Sequence, residues 1–229
     1  SAAIGFNLAL ATLFGLTLGA AFALVTRLSG RVRYGLLGAA LVGVAGNLAG
    51  FFAVGWSRGF AAVAEALRQG GLSGFGAALG DWFVGPSRVI PYTINEFPTF
   101  AFLYADLHPH MIALPITLLV AALAYRVLSA GATRPPVVVS ALLALALGTL
   151  AVTNSWDVPT YGLLVGLALL GAAWRAGGPR ARSVPWSALE RAALTALVVA
   201  VGGLALFAPF FDRYWAPVGG LKNGAKSAS

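Results

Sequence analysis

Long apolar runs recur along this chain, and their length constrains its fold more than any other feature of the sequence. A bilayer core of ~30 Å is crossed by a helix of roughly 17 to 25 apolar residues, and lipid forces each crossing to satisfy its own backbone hydrogen bonds. Runs of about this length occupy residues 4–26, 35–56, 111–128, 135–153, 159–174 and 188–208. The pattern predicts an all-α polytopic transmembrane helix bundle of about six spans over residues 1–215, with a flexible outer-face tail at 216–229.

The amino-acid composition supports a membrane protein and excludes several other classes. Hydrophobic residues make up 59% of the chain and charged residues 10%, whereas ordinary soluble domains carry about 25% charged residues. The net charge of +8 does not indicate nucleic-acid binding, because the basic residues lie in short loops between apolar runs. The chain has no cysteine, which excludes a disulfide framework and a thiolate site. Since the chain begins at Ser1 and enters a span almost at once, we expect it to be a segment of a longer protein.

The loops between the apolar runs differ in charge, and the difference predicts an orientation. One side of the predicted bundle combines the acid Glu190 with nine basic residues: Arg27, Arg31, Arg33, Arg126, Arg134, Arg175, Arg180, Arg182 and Arg191. The other side combines six basic residues with six acids: Arg58, Arg68, Arg88, Arg213, Lys222, Lys226, Glu65, Asp81, Glu96, Asp106, Asp157 and Asp212. The positive-inside rule places the first side in the cytoplasm. We therefore expect a multi-pass cell-membrane protein whose site lies on the extracytoplasmic face.

The longest predicted loop, residues 57–97, lies on this extracytoplasmic side. Phe60, Val63, Ala64 and Leu67 recur in it at helical spacing, which predicts an amphipathic interfacial helix that ends at Gly70. A solvated loop helix packed on its neighbours is the alternative. The glycine-rich stretch at 70–88 has the length of a functional lid or binding loop, and it lacks the Gly-Lys-Ser/Thr pattern of a phosphate loop.

Residues 94–110, INEFPTFAFLYADLHPH, concentrate four ionisable groups at the mouth of this apolar protein: Glu96, Asp106, His108 and His110. Ionisable groups near hydrocarbon are costly and indicate function by default. Residues 98–105 are apolar but too few to cross, so the chain is expected to break at Asp106 and to begin a new helix with Pro109 in its first turn. The free N–H groups at such a helix start attract phosphate or pyrophosphate.

Three chemical interpretations of this cluster are open. Glu96 or Asp106 could act as a general base while an imidazole contacts a phosphorylated leaving group. Asp106, His108 and His110 could instead bind a divalent metal ion such as zinc or manganese, with Glu96 or Asp157 as a further ligand. In the third interpretation the carboxylates and imidazoles form a structural network that caps the helix.

Other residues on the same predicted face could complete a site. Arg88 and Arg213 are candidates for binding a lipid-linked phosphate, which arginine can hold through two hydrogen bonds, and interfacial anchoring is their alternative role. Asn95, Asn154 and Asp157 are candidate supporting residues. Because Asp157 precedes a proline where a span begins, N-capping is its simplest role, and Asn154 is expected to cap the end of the preceding span.

The run INEFPTFAFLYADLHPH, together with FNLALATLFGLT, GNLAGF and TNSWDVPTYG, resembles the YYY family of bacterial and archaeal polytopic membrane proteins over most of residues 4–165. That family is grouped with GT-C glycosyltransferases, which move a sugar from a polyprenyl-phosphate donor on the outer face of the membrane. The segment at 106–110, DLHPH, is also similar to the Asp-x-His-Pro-Pro block of protein mannosyltransferases, with His110 in place of the second proline. The acidic pair found in the first outer loop of GT-C enzymes has no equivalent in this segment.

The resemblance implies a GT-C-like glycosyltransferase module whose partners are membrane lipid, a polyprenyl-phosphate sugar donor and the remainder of its own longer chain. It implies inverting displacement at the anomeric carbon, with Glu96 or Asp106 as the base and with histidine or arginine side chains on the departing phosphate. A divalent metal ion is the cofactor to consider. The alternatives are a transporter or lipid flippase, which would place its charges near the membrane midplane, and a non-catalytic membrane scaffold.

Overall fold

The computed structural model describes residues 1–44, 64–65, 68–70, 87, 90–178 and 183–214, and within these ranges the chain is helical and contains no strand. The helices are, in chain order, α1 Ala2–Ser29, α2 Val32–Gly43, α3 Pro98–Leu103, α4 Pro109–Ala130, α5 Val137–Thr153, α6 Asp157–Ala176, α7 Trp186–Leu206 and α8 Ala208–Arg213. The all-α prediction is confirmed for this part of the chain.

Four of these helices, α1, α4, α6 and α7, are long and apolar enough to cross a membrane. Helix α5 has 17 residues, which corresponds to about 26 Å and falls slightly short of a ~30 Å core. Helix α2 has 12 residues, and the rest of the run predicted at 35–56 lies outside the described residues. The described structure therefore has four candidate spans, and the count of six stays a prediction.

The outer surfaces of the long helices are apolar, as contact with lipid requires. On α6 the side chains of Leu163, Leu167 and Leu170 are 64%, 55% and 51% exposed, and α7 exposes Leu194 and Leu197 to a similar extent. A soluble monomer rarely leaves large contiguous surfaces of this kind in water. The surface thus agrees with the hydropathy of the sequence in indicating a multi-pass membrane protein.

The chain divides into two compact units, Ser1–Ala122 and Leu123–Ser229. In the first unit, α1 and α2 form an antiparallel hairpin that turns at Gly30, whose φ of 69° suits a residue without a Cβ atom. Glycines on α2 bring the two backbones together, with Gly38 facing Val25 and Gly43 facing Leu18. A methyl group at Gly38 would lie 2.7 Å from Cγ2 of Val25, so the hairpin depends on small residues, as closely packed membrane helices do.

The short helix α3 packs against this hairpin within the first unit. It begins at Pro98 and buries Thr99, Phe100 and Ala101. The Thr99 hydroxyl donates a buried hydrogen bond of 3.2 Å to the carbonyl of Gly43. This bond satisfies the hydroxyl and attaches α3 to the end of α2.

In the second unit, α5 and α7 run parallel to each other and pack closely. The Thr195 hydroxyl donates a 2.9 Å hydrogen bond to the carbonyl of Thr133, just before α5 begins. Further along both helices, a methyl group at Gly203 would lie 2.9 Å from the carbonyl oxygen of Ala144, and one at Gly148 would lie 2.8 Å from that of Gly203. Later residues of α5 therefore contact later residues of α7, as expected for parallel helices, and the two backbones touch each other.

Several predicted features lie largely outside the described residues. Of the predicted interfacial helix only residues 64–65 and 68–70 are described, and these are helical. The glycine-rich stretch at 70–88 is described only at residues 70 and 87, and the predicted tail at 216–229 lies wholly outside.

Candidate functional site

The end of α3 determines where Asp106 lies. After Tyr104 the chain enters the left-handed region at Ala105, with a φ of 56°. The amide of Asp106 donates to the carbonyl of Ala101 and the amide of Ala105 donates to that of Phe102, both at 3.2 Å. This bond pair is a Schellman motif, in which glycine usually occupies the position held here by Ala105. The motif stops the helix and turns the chain back, so that Asp106 stands at the predicted break.

Asp106 pairs with His108 in this turn. Its Oδ2 atom lies 2.7 Å from Nδ1 of His108, and both side chains are about half exposed, at 50% and 46%. His108 precedes Pro109, the first residue of α4, and its carbonyl accepts hydrogen bonds from the amides of Met111 and Ile112. The expected helix start at Pro109 is therefore confirmed, and the first pair stands at the N-terminus of a candidate span.

Glu96 and His110 form a second pair beside the first. The Oε2 atom of Glu96 lies 2.7 Å from Nε2 of His110, and the glutamate side chain is 24% exposed. An extended residue, Phe97, separates Glu96 from α3, while His110 is the second residue of α4. The break between α3 and α4 thus brings together residues from both sides of α3.

The two pairs define which imidazole nitrogens have no hydrogen-bond partner among the described residues. An ionised carboxylate only accepts hydrogen bonds, so the nitrogen that faces it carries a proton. This assignment leaves Nε2 of His108 and Nδ1 of His110 for a substrate. The two rings lie 5.5 Å apart between centroids, so one bound group could contact both.

The geometry gives two pairs rather than a metal-binding trio. Among the residues that the structure describes, no three histidine, aspartate or glutamate side chains come together as a group that could hold a metal ion. Asp106, His108 and His110, the set considered for a metal from the sequence, are divided instead between the Asp106–His108 pair and the bond from His110 to Glu96.

Asn95 supports the segment that carries Glu96. Its backbone amide donates to the carbonyl of Ser87 at 2.7 Å, and its side-chain amide donates to the same carbonyl at 3.2 Å. A third bond, of 3.3 Å, runs from the side chain to the hydroxyl of Thr93. These bonds hold the extended chain in the position from which Glu96 reaches His110.

An apolar cavity of about 620 Å³ lies beside α3 in the same unit. It is lined by Asn7, Leu10, Ala11, Phe14, Gly43, Val44, Thr99, Phe102 and Leu103. The α1 residues recur at the spacing of one helix face, a signal that could have been read from the sequence. The α3 residues lie within one turn of the Schellman motif that positions Asp106, so the cavity and the two pairs share one structural support.

Four further residues were predicted to support the site: Asn154, Asp157, Arg213 and Arg88. In the second unit the side chain of Asn154, the C-cap of α5, donates a 3.0 Å hydrogen bond to Oδ2 of Asp157. Asp157 is the first residue of α6, whose N-cap is Trp156 and which has no side-chain cap bond, so the expected N-cap role of Asp157 was wrong. Its charge instead complements the dipole in the first turn. Arg213 ends α8 and is exposed, and Arg88 lies outside the described residues.

Comparison with known proteins places the chain in a family without assigning an activity. No curated protein and no solved structure matches it. The sequence does match, over residues 1–228, a family described as "Uncharacterized membrane protein (DUF2298)". Because this match covers nearly the whole chain, and because the four candidate spans agree with its description, the protein belongs to the uncharacterised membrane protein family DUF2298.

Proposed function

We propose that this chain is a GT-C-like module of a membrane glycosyltransferase that uses a polyprenyl-phosphate-linked sugar donor at the extracytoplasmic face. The observation that carries the proposal is the position of the two carboxylate–imidazole pairs, which lie at the start of a candidate span and are joined through α3 to the lining of an apolar cavity. Such a place suits a substrate that has a polar reacting end and a long apolar chain.

The Glu96–His110 pair is suited to removing a proton from the acceptor. Its carboxylate is the least exposed group of the four, and a partly desolvated carboxylate orients an imidazole and stabilises the imidazolium that forms. In the proposed step, Nδ1 of His110 takes the proton of the acceptor hydroxyl as its oxygen bonds to the anomeric carbon. The bond from that carbon to the donor phosphate breaks, and the electron pair leaves with the phosphate oxygen.

The Asp106–His108 pair is suited to holding the phosphate. It stands where α4 begins, and helix N-termini favour anions through free N–H groups and the positive end of the dipole. A protonated His108 would add a charged donor from Nε2. Arg88 and Arg213 stay sequence-based candidates for binding a lipid-linked phosphate, with no contact among the described residues that supports either of them.

The apolar cavity supplies a place for the lipid chain of the donor. Its volume of about 620 Å³ lies within the range of roughly 300–1,000 Å³ usual for ligand sites. Phe102 and Leu103 line it, and the chain passes from them through the left-handed turn at Ala105 to Asp106. A polyprenyl chain in the cavity would therefore have its phosphate end close to the first pair.

The alternative of a transporter or flippase is less well supported. Sites of that class lie near the bilayer midplane, at discontinuous helices. Here the pairs precede or begin α4, whose 22 residues extend about 33 Å away from them. A location at one end of a span favours chemistry at a membrane surface.

Matched isosteric substitutions test the proposal. We expect Glu96→Gln to lower sugar transfer by ~10²- to 10⁴-fold, the usual contribution of general acid–base groups, without weakening donor binding. His108→Gln should weaken binding of polyprenyl phosphate. The measurements are transfer from a panel of radiolabelled polyprenyl-phosphate sugars, in membranes that contain the full-length protein, and binding of the unglycosylated polyprenyl phosphate.

Asp157→Asn is the control, because that carboxylate also accepts a hydrogen bond at a helix start but belongs to the second unit. It should stay within a few-fold of the unmodified protein. If Glu96→Gln and Asp106→Asn both retain full transfer, the pairs have no catalytic role. If both proteins fail to fold, the pairs are a structural network that caps α4.

A further inference from the structure

A second cavity, of about 280 Å³, lies in the second unit where α5 and α7 begin. It is lined by Arg134, Pro135, Val137, Ser140, Arg191, Leu194, Thr195 and Val198. The proposed glycosyl transfer makes no use of these residues. The cavity combines two arginines, a hydroxyl group and an apolar wall, which is a combination typical of a binding site.

Hydrogen bonds around Thr133 bring the two arginines to the same cavity. The Thr133 carbonyl accepts from the hydroxyl of Thr195 at 2.9 Å, and its hydroxyl accepts from Nε of Arg191 at 3.4 Å. These bonds hold the first turns of α7 against the segment that leads into α5, where Arg134 follows Thr133. The Nη groups of Arg191 have no hydrogen-bond partner among the described residues, so they could bind an anion.

Neither guanidinium has a carboxylate partner among the described residues, whose ion pairs are Arg68–Glu65, His108–Asp106 and His110–Glu96. Glu190 adjoins Arg191 in the sequence, but consecutive residues of a helix do not face each other. Two unneutralised guanidinium groups that share a cavity favour a phosphate, which arginine binds in bidentate fashion.

The remaining wall of the cavity is apolar and faces outward. Val137, Leu194 and Val198 are 84%, 57% and 54% exposed. Leu194 and Val198 lie on one face of α7, a candidate span, and Val137 begins the apolar helix α5. A hydrocarbon chain lying along these residues would cover them, whereas a small soluble ion would leave them uncovered.

The cavity also lies at the end of the second unit where arginines accumulate. Helix α4 ends at Ala130 and α6 at Ala176, and Nη1 of Arg175 donates a 3.1 Å hydrogen bond to the carbonyl of Leu128. By the positive-inside rule this is the cytoplasmic end. The cytoplasmic leaflet carries anionic lipids, and basic cavities between spans on that side bind their head groups.

We propose that this cavity binds the phosphate of an anionic phospholipid of the cytoplasmic leaflet. Arg134 and Arg191 hold the phosphate, Ser140 adds a hydroxyl, and the acyl chains lie over Val137, Leu194 and Val198. The volume of about 280 Å³ suits a head group alone, because it falls just below the roughly 300 Å³ at which sites for drug-sized ligands begin. The site is independent of the proposed glycosyl transfer.

Binding of defined lipids to the whole chain in neutral-detergent micelles tests this site. Phosphatidylglycerol, titrated in and followed by native mass spectrometry, should bind more tightly than phosphatidylcholine. Arg134→Gln and Arg191→Gln should each weaken the binding of phosphatidylglycerol about fivefold, and the double variant about 25-fold, as expected for removing basic groups at a membrane surface.

Arg126→Gln is the matched control, because Arg126 is exposed, belongs to the same unit and predicted face, and does not line the cavity. If Arg126→Gln weakened the binding of phosphatidylglycerol equally, the effect would come from general surface charge and the proposal would be overturned. Equal binding of the two lipids would also overturn it. Displacement of the lipid by millimolar inorganic phosphate would identify a soluble phosphate as the ligand instead. Equal binding of the two lipids to the unmodified protein would overturn the proposal even if the variants fold poorly.

Discussion

At the scale of single residues, the candidate site depends on a backbone conformation that its sequence does not favour. Ala105 adopts the left-handed conformation at the end of α3, which costs an L-residue other than glycine about 1–2 kcal/mol. The strained turn positions the next residue, Asp106, so that its carboxylate lies 2.7 Å from the imidazole of His108. Strained residues of this kind concentrate where a protein holds functional groups in place.

This conformation predicts opposite effects for two substitutions at Ala105. Glycine removes the steric cost of the Cβ atom and should raise the free energy of unfolding slightly. The β-branched valine should lower the free energy of unfolding by about 1–2 kcal/mol relative to alanine. Thermal unfolding of the purified protein in detergent measures both changes. A valine variant as stable as the glycine variant would contradict the left-handed assignment.

At the scale of helices, close approach of backbones accounts for the packing in both units. Glycines on α2 face α1 in the first unit, and Gly148 on α5 meets Gly203 on α7 in the second. Lipid tails are as apolar as leucine, so association of helices in a membrane depends on van der Waals contact and on small residues that permit it. A larger side chain at these glycines would push the helices apart.

The contact of α5 with α7 predicts that two glycine-to-alanine substitutions change the stability of the protein in opposite directions. A methyl group at Gly148 would lie 2.6 Å from the ring of Phe207 and 2.8 Å from the carbonyl of Gly203, while one at Gly166 on α6 would meet nothing within 4 Å. Gly148→Ala should therefore destabilise the protein by about 1–3 kcal/mol. Gly166→Ala should be neutral or stabilising by up to ~1 kcal/mol.

Unfolding in increasing dodecyl sulfate would compare the two variants. Equal effects would mean that the contact between α5 and α7 does not limit stability.

At the scale of the whole molecule, the unequal distribution of charge predicts how the chain lies in the membrane. The sequence predicts nine basic residues and one acid on one side of the membrane, and it predicts the acids Glu96, Asp106 and Asp157 on the other side. By the positive-inside rule, we expect the carboxylate–imidazole pairs to face the outside of the cell.

Cysteine labelling tests this orientation, because the chain has no native cysteine. A cysteine at Ser155 should react with an impermeant thiol reagent in intact cells, and cysteines at Ser29, Ser129 or Ser183 should not. All four serines are exposed, so a difference in labelling would report sidedness rather than burial. Labelling only of the second group would invert the protein and place the proposed catalytic pairs in the cytoplasm.

The sequence alone was sufficient to predict the helical fold, the break after α3 and the start of α4 at Pro109, because these features depend on local rules. Hydrocarbon excludes unpaired backbone groups, so every long apolar run had to be helical. Proline occupies the first turn of a helix because it has no N–H group to lose there. The four residues Glu96, Asp106, His108 and His110 were also identifiable, because ionisable groups are rare in so apolar a chain.

Only the tertiary structure decided which groups meet. It joined Glu96 to His110 across α3, divided the supposed metal trio into two pairs, and removed the N-cap role expected for Asp157. The cavity beside α3 and the one between Arg134 and Arg191 likewise bring together residues that are distant in the chain. Periodicity in a sequence specifies which face of a helix is apolar, but the partner of a side chain depends on how turns and close-packed glycines direct whole helices against each other.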